Sequence, residues 1–509
     1  MKFLETIAQK LVPLNKLNRA LPTSPATILL HNPSLSTNAI FLTPPHVEIL
    51  TQATSKALSS DRSVSSLLLD LRVPTSNIDE TLHFAGAYAS NHLARNSHFL
   101  IVTDHDDPIT SAISEGLMRS LSKEIGYKGI TVNCVEVKGD DKRSDLLNYE
   151  SVKFFLSNES SFITGQSLIV GDGSSNSNSN SNSNSNSNSN SNIVVTGAAR
   201  GIGFETAKVL AMQADCKTLL MVDHPAMEST LEASKQEIEV LTNGKVEVTS
   251  LSADVTCPDT ASKMLENLKS STVDALVHAA GVTRDKTLKR MKLDVYKQCM
   301  DINFHAVRNI DDHLLANNMY SENARITCLA STSGVAGNFG QTNYAASKSG
   351  LIGYAKWRAV NTPNVTVSGA QRAQRAKLRP LRRPQGGSAS IKPSAAGKPS
   401  AAESRAQRKG GWLGGSLPLH NPNNFHTSIF FKTNPHFPQV NCVAPGFIQT
   451  PMTDNLPVAG RIVVPRFLTN LKCMGKPIDV ATTIKFLSKP NSGVKGKVLR
   501  ICGGLLLGK

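Results

Sequence analysis

Two parts of this chain repeat each other, and that repeat constrains the fold more than any other feature of the sequence. GLMRSLSKEIGYKGITVNCVEVKG at residues 116–139 parallels GLIGYAK at 350–356 followed by VNCVAPG at 440–446. SFITGQSLIVGDG at 161–173 parallels SGVKGKVLRICGG at 492–504. Self-similarity of strand-like and helix-like segments implies two copies of one supersecondary unit. Between the copies, nine Ser-Asn dipeptides fill residues 175–192. Such a tract has no apolar side chains to offset chain entropy and is expected to be a flexible linker. The expected organisation is an N-terminal domain over residues 1–173, a linker over 174–192 and a second domain over 193–509.

In the second copy the apolar pattern predicts strands at 193–196, 217–223, 246–252, 274–279 and 324–330. Helices are predicted at 202–213, 226–241, 258–270, 291–317 and 342–356. Strands alternating with helices at this spacing mean an α/β fold with a parallel sheet. The expectation is two doubly wound parallel-sheet domains, the N-terminal one degenerate.

The chemistry is written in the second copy. IVVTGAARGIG places Gly197, Gly201 and Gly203 after an apolar run and at the start of an amphipathic one. Glycines there let the backbone approach a pyrophosphate, and a helix N-terminus offers it free N–H groups. Asp223 ends the second predicted strand, twenty residues after Gly203. A carboxylate there accepts hydrogen bonds from adenosine ribose hydroxyls and repels a 2′-phosphate, which favours NAD over NADP. The bland alternative is a solvated strand end. Asp254 and Val255 end the third predicted strand, where an adenine would lie.

Tyr344 and Lys348 stand four apart in NYAASK, with Ser331 thirteen residues before the tyrosine. Tyr344 is expected to be the general acid that protonates a carbonyl oxygen as hydride arrives. A free phenol has a pKa of about 10, and an ammonium one helical turn away is expected to lower it. Ser331 is expected to polarise the substrate oxygen, and Asn303 to hold a water that relays protons towards Lys348. Together these signals specify a nucleotide-dependent carbonyl/alcohol oxidoreductase. In the first copy Thr110 and Ser114 stand where Tyr344 and Lys348 stand in the second, and no glycine-rich turn follows TILLHNPS at 27–34. That copy is expected to pack or to shape a substrate site, without chemistry of its own; the alternative is an independent ligand site.

These motifs resemble the short-chain dehydrogenase/reductase family, whose fold is Rossmann-like. VHAAGVTRDKTLKRM, STSGVAGNFGQTNYAASKSGLIGYAK and NCVAPGFIQTPM are similar to 3-oxoacyl-(acyl-carrier-protein) reductases. The degenerate first repeat and the ending VLRICGGLLLGK resemble their high-molecular-weight, two-domain branch. The resemblance implies a catalytic tetrad of Asn303, Ser331, Tyr344 and Lys348. It implies cofactor contacts at Gly197, Arg200, Gly201, Ile202, Gly203, Asp223, Asp254, Val255, Gly281, Ile448 and Thr450, with Tyr344 and Lys348. The implied reaction reduces a 3-oxoacyl thioester, on acyl carrier protein or coenzyme A, to the 3-hydroxyacyl thioester in fatty-acid metabolism. A homo-oligomer is also implied. The alternatives are the reverse reaction or another alcohol substrate, and an inactive interaction protein.

Two departures stand out. The family's Asn-Asn-Ala-Gly reads His278-Ala279-Ala280-Gly281 here, so a side chain that braces the sheet is missing, and His278 is expected to be structural. The second departure is an insertion. By the repeat, residues 358–439 replace what 124–131 do in eight residues, an excess of 74. The stretch is rich in Pro, Gly, Ser and Arg without a regular period and is expected to be disordered. Its position, where a helix should finish and a buried strand begin, points to non-coding sequence carried into translation; the alternative is a tolerated loop. The helix is expected to be cut short just after Lys356.

The net charge of +16 does not imply a nucleic-acid partner. Residues 357–438 hold thirteen Lys and Arg against one acid, Glu403, so the basicity belongs to the insertion. Its arginine-rich part lacks interleaved aromatics and matches no nucleic-acid motif. No run approaches the roughly 20 apolar residues a membrane span needs. Eight cysteines without CxxC pairs, among them Cys134, Cys328 and Cys442 in apolar runs, suggest reduced thiols and neither disulfides nor a metal site. The N-terminus lacks a continuous apolar stretch for secretion, and a cytoplasmic protein is expected. Its weak amphipathicity, with Lys2, Lys10, Lys16 and Arg19, leaves a mitochondrial transit peptide as the alternative.

Overall fold

The computed structural model describes residues 39–42, 64–72, 78–138, 146, 149–171, 191–268, 272–361, 437–454, 465–490 and 492–505. The linker up to residue 190, the insertion from 362 to 436 and the TILLHNPS segment lie outside them. One compact unit comprises residues 1–362 and 436–509.

The first copy forms a five-stranded parallel sheet in the order β1 (Ala39–Leu42), β2 (Val64–Leu71), β3 (Leu93–Asp104), β4 (Thr131–Val137), β5 (Ser167–Val170). A parallel sheet must be covered on both faces, and alternate side chains do this. Leu67, Leu69, Phe99, Ile101, Val132 and Cys134 bury one face among residues of α1 (Ile78–His92) and α2 (Pro108–Ile125). Leu68, Leu100, Val102, Val135 and Val137 bury the other, with Val152, Phe154 and Phe155 of α3 (Glu150–Phe155).

The second copy forms a seven-stranded sheet ordered β12-β11-β10-β9-β6-β7-β8. The strands are β6 (Ser191–Thr196), β7 (Cys216–Asp223), β8 (Glu247–Ser252), β9 (Val273–His278), β10 (Tyr320–Leu329), β11 (Gln439–Pro445) and β12 (Val498–Ile501). Its helices are α4 (Gly201–Ala211), α5 (Glu228–Leu241), α6 (Thr260–Asn267), α7 (Leu293–Met300), α8 (Ala306–Ala316), α9 (Thr332–Ala336), α10 (Thr342–Asn361), α11 (Pro451–Asp454) and α12 (Pro477–Ser488). Strand order reverses at β6, which pairs with β7 on one side and β9 on the other. In doubly wound sheets that switch point is where ligands bind. The first sheet runs in plain sequential order, and among the described residues it has no counterpart of β7 and β8. Among the described residues, then, the first sheet shows no reversal of strand order.

Three local expectations need correction. The last Ser-Asn dipeptide belongs to β6: Asn192 N donates to Asp274 Oδ2 at 2.8 Å, and Thr218 Oγ1 donates to Asn192 Oδ1 at 2.9 Å. The helix predicted over 291–317 contains a π-helical turn at Asp301–His305, between α7 and α8. The catalytic helix is not cut after Lys356. It continues to Asn361, because Arg358 is buried and stacks 5.6 Å from the Tyr354 ring centroid.

The two copies share one core. The Phe154 ring stacks on Phe486 of α12 at 4.3 Å. Around it Lys485 meets Glu159 and Lys489 meets Glu150, each at 2.7 Å. Phe162 packs against Gly475 and Gly503, where an added Cβ would sit 2.5 and 2.8 Å from its ring. α3 precedes β5 as α12 precedes β12, so each copy offers the same element to the other, as at an isologous interface. We expect Phe486→Ala to cost about 3–5 kcal/mol, and both sheets to unfold in a single calorimetric transition. Two separated transitions in the wild-type chain would contradict the shared core.

Candidate active site

The glycine turn is built by close approach. Gly197 follows β6 at φ +70°, and a Cβ there would lie 2.6 Å from Ala280 N. A Cβ on Gly203 would collide with Gly197 O, so the first turn of α4 presses on the turn itself. Gly201 has φ +62° with open space where its Cβ would be. Arg200 is the exposed N-cap of α4, and Ile202 packs against the core. The free N–H groups at the start of α4 thus face an open crevice suited to an anion. These residues fit a dinucleotide.

The neighbouring strand ends complete that crevice. Asp223 closes β7, and its carboxylate accepts Ala199 N and His224 N, both at 2.8 Å. The carboxylate is thereby locked to the glycine turn. Asp254 follows β8 and accepts Thr256 N at 2.9 Å. His224 Nε2 stands 3.8 Å from Asp254 Oδ2, and Val255 packs into the second core. Beyond β11, Ile448 is buried and bridges to Gly475, while Thr453 Oγ1 accepts the Thr450 N–H at 2.9 Å.

The tetrad residues converge after β9. Asn303, in the π-helical turn, is fully buried. Its Oδ1 accepts Val282 N at 2.8 Å, and its Nδ2 donates to Val282 O and to Ser347 Oγ, both at 3.0 Å. This side chain clamps the loop carrying Gly281, a use that the water-relay expectation did not foresee. Ser347 was missed in the sequence; only its place between Tyr344 and Lys348 marked it. Lys348 Nζ donates to Leu329 O at 2.7 Å and lies 5.7 Å from the Tyr344 ring centroid. A Cβ on Gly281 would come within 3.1 Å of both Asn303 Oδ1 and Lys348 Nζ. Ser331 caps α9, accepting Ser333 N at 3.1 Å.

The electrostatics differ from the sequence expectation. Burial pushes the Tyr344 phenol up to about 12, with a hydrogen bond from Ser331 pulling the other way. Burial also pulls Lys348 down to about 8. Both shifts arise chiefly from the loss of water around the charged forms. Tyr344 is therefore protonated at neutral pH. His278 is buried against Asp311, with Nε2 2.9 Å from Oδ1, a structural place as its sequence context suggested.

A sheet that switches at β6, a glycine turn there, and a Ser-Tyr-Lys group beside it define a nucleotide-dependent oxidoreductase class. Residues 191–371 match the short chain dehydrogenase family. The chain is 30% identical over 323 residues to the 3-oxoacyl-(acyl-carrier-protein) reductase FabG of Thermotoga maritima, covering 62% of this chain and 97% of that protein. It is 27% identical over 321 residues to the reductase of that name from Synechocystis, covering 62% and 96%. It is 34% identical over 179 residues to FabG of Escherichia coli, covering 34% and 69%. This chain belongs to the short-chain dehydrogenase/reductase family.

Burial of Lys348 has a stability consequence. Its folded pKa of about 8 lies below the ordinary 10.5, so a costly buried charge is present below pH 8. Between pH 8 and 10.5 the unfolded chain binds more protons, and the stability of the native protein rises with pH. Lys348→Met is therefore expected to be more stable than wild type by about 1–3 kcal/mol at pH 7, an advantage that shrinks as pH rises through that window. Urea unfolding at pH 7, 9 and 10.5 reads this directly. A variant less stable at pH 7 would mean that the bond to Leu329 O outweighs desolvation.

Proposed function

We propose that this chain reduces a 3-oxoacyl thioester, on acyl carrier protein or coenzyme A, to the 3-hydroxyacyl thioester in fatty-acid metabolism. The observation that carries the reading is the convergence of Asn303 and Lys348 on Gly281, with Tyr344 beside them and the glycine turn across the switch point. When bound, the reduced nicotinamide supplies the hydride that the C3 carbonyl carbon accepts. Tyr344 gives its phenolic proton to the carbonyl oxygen as negative charge develops there. Ser331 polarises that oxygen. Lys348, brought down to about 8, exchanges protons near neutral pH and helps restore the phenol.

Gly197, Arg200, Gly201, Ile202 and Gly203 would hold the pyrophosphate. Asp223, locked by Ala199 and His224, would take the ribose hydroxyls, with Asp254 and Val255 at the adenine. Gly281, Ile448 and Thr450 would flank the nicotinamide with Tyr344 and Lys348. The fixed carboxylate of Asp223 supports NADH over NADPH. Alcohol oxidation, the alternative direction, would use the same residues with Tyr344 as the base. The continuation of α10 through Asn361 supports an enzyme over an inactive interaction protein. The N-terminal domain has a packing role in this reading. Exposed Trp357 and Val360 on α10 support a homo-oligomer that covers them. Among the described residues no helix is long and apolar enough to cross a membrane.

Tyr344→Phe is expected to lower kcat by about 10²-fold or more with unchanged circular dichroism, using an acetoacetyl thioester and NADH. Near-normal turnover in that variant would refute the assignment. Wild type is expected to show the higher kcat/KM with NADH, and Asp223→Ala to erode that preference. A wild-type preference for NADPH would overturn the role given to Asp223.

A further inference from the structure

The buried carboxylate of Asp311 lies outside the tetrad, yet it touches most of the elements that carry it. It sits on α8, eight residues after Asn303 in the same helical run, with no solvent exposure. Its Oδ1 accepts His278 Nε2 at 2.9 Å and the Tyr320 hydroxyl at 3.0 Å. Its Oδ2 accepts the Tyr354 hydroxyl at 2.8 Å. His278 ends β9, just before Gly281. Tyr320 begins β10, which leads through Leu329 O to Ser331. Tyr354 lies on α10, six residues after Lys348, with the Arg358 guanidinium over its ring.

Burial by itself would push this carboxyl up. The charges of His278 and Arg358, with the hydrogen bonds from His278 and Tyr354, outweigh that and hold it below its ordinary value. An ionised acceptor makes each of these bonds stronger than a neutral one. A low surrounding dielectric strengthens the network further and makes loss of any member felt.

We propose that Asp311 is a positioning residue for catalysis: through Tyr354 and His278 it holds α10 and the end of β9 against α8, so that Lys348 and Asn303 stay gathered at Gly281. The proposal rests on the reductase reading for its activity readout and on local protection for a readout independent of it. Asp311 touches no substrate. Its effect is on placement, to which turnover is steeply sensitive.

The test uses the full chain with Asp311→Asn, Tyr354→Phe and the double variant. Each single change is expected to lower kcat about tenfold or more, with KM for NADH and thioester within about twofold. The double variant should be no worse than the poorer single one, since both break one link. Hydrogen exchange over residues 342–350 should quicken in both variants at temperatures far below unfolding. If Asp311→Asn does not fold, Tyr354→Phe carries the test alone, because it leaves the His278 and Tyr320 bonds in place. Folded variants with wild-type kcat, additive losses in the double variant, or unchanged exchange over 342–350 would each overturn the proposal. A wild-type chain that reduces no thioester would sink the reductase reading, and the exchange measurement would still decide this one.

Discussion

Everything at the candidate site depends on how closely the backbone after β6 approaches the backbone after β9. Gly197 and Ala280 come so near that a single carbon on Gly197 would lie 2.6 Å from the Ala280 nitrogen. That contact joins two halves made by distant parts of the chain. One half is the anion-ready start of α4. The other is the Gly281 loop, clamped at Val282 by Asn303 and closed over by Lys348. Parallel pairing of β6 with β9 sets the register, from Ile193 opposite Ala275 to Thr196 opposite His278. A larger residue at 197 would force the halves apart, and one at 203 would push α4 off its own turn. Glycine at these positions is thus a requirement of packing as much as of ligand access.

The N-terminal copy shows what a related unit becomes without that approach. Its strands β2 to β5 correspond in order to β9 to β12, and their two faces are filled by Leu, Val, Ile and Phe in alternation. The core survives because a covered parallel sheet needs only apolar side chains at the right period. The Tyr-Lys pair does not recur in it. At the positions that match Tyr344 and Lys348, Thr110 donates its N–H to Asp107 at the start of α2, and Ser114 lies buried with its hydroxyl unbonded. What the copy contributes is a surface: Phe154, Phe162, Glu150 and Glu159 engage α12 and the glycines at 475 and 503. The second copy therefore gains a cover over α12.

Burial also reverses the simplest electrostatic account of the tetrad. In water an ammonium near a phenol lowers its pKa. Here both groups are desolvated, so the phenol moves up to about 12 and the amine down to about 8. The two shifts bring a strong proton holder and a ready proton exchanger into one site. That combination places a protonated phenol beside an amine that exchanges protons near neutral pH.

Much of this was legible along the chain. The glycine turn, the Tyr-Lys spacing and the alternating apolar runs are local patterns, and each of the five strands predicted at 193–330 falls within a few residues of its expected place. The repeat marked the first sheet before any coordinate did. Other features were not legible, for a common reason: they join residues far apart in sequence. Nothing near Asn303 announces that its amide will hold Val282 and Ser347. Nothing near Asp311 announces three donors from β9, β10 and α10. The end of α10 was misread because Arg358 looks like the first charge of a basic insertion, whereas packing against Tyr354 makes it the last anchor of a helix. The amino-acid order by itself determined most of the elements, the glycines that must stay glycines and the candidates for the reacting groups, since these follow from backbone sterics and spacing within one turn. Tertiary structure alone decided how those groups are held and where their protons reside, because burial and hydrogen bonding are set by neighbours that only the folded chain brings together.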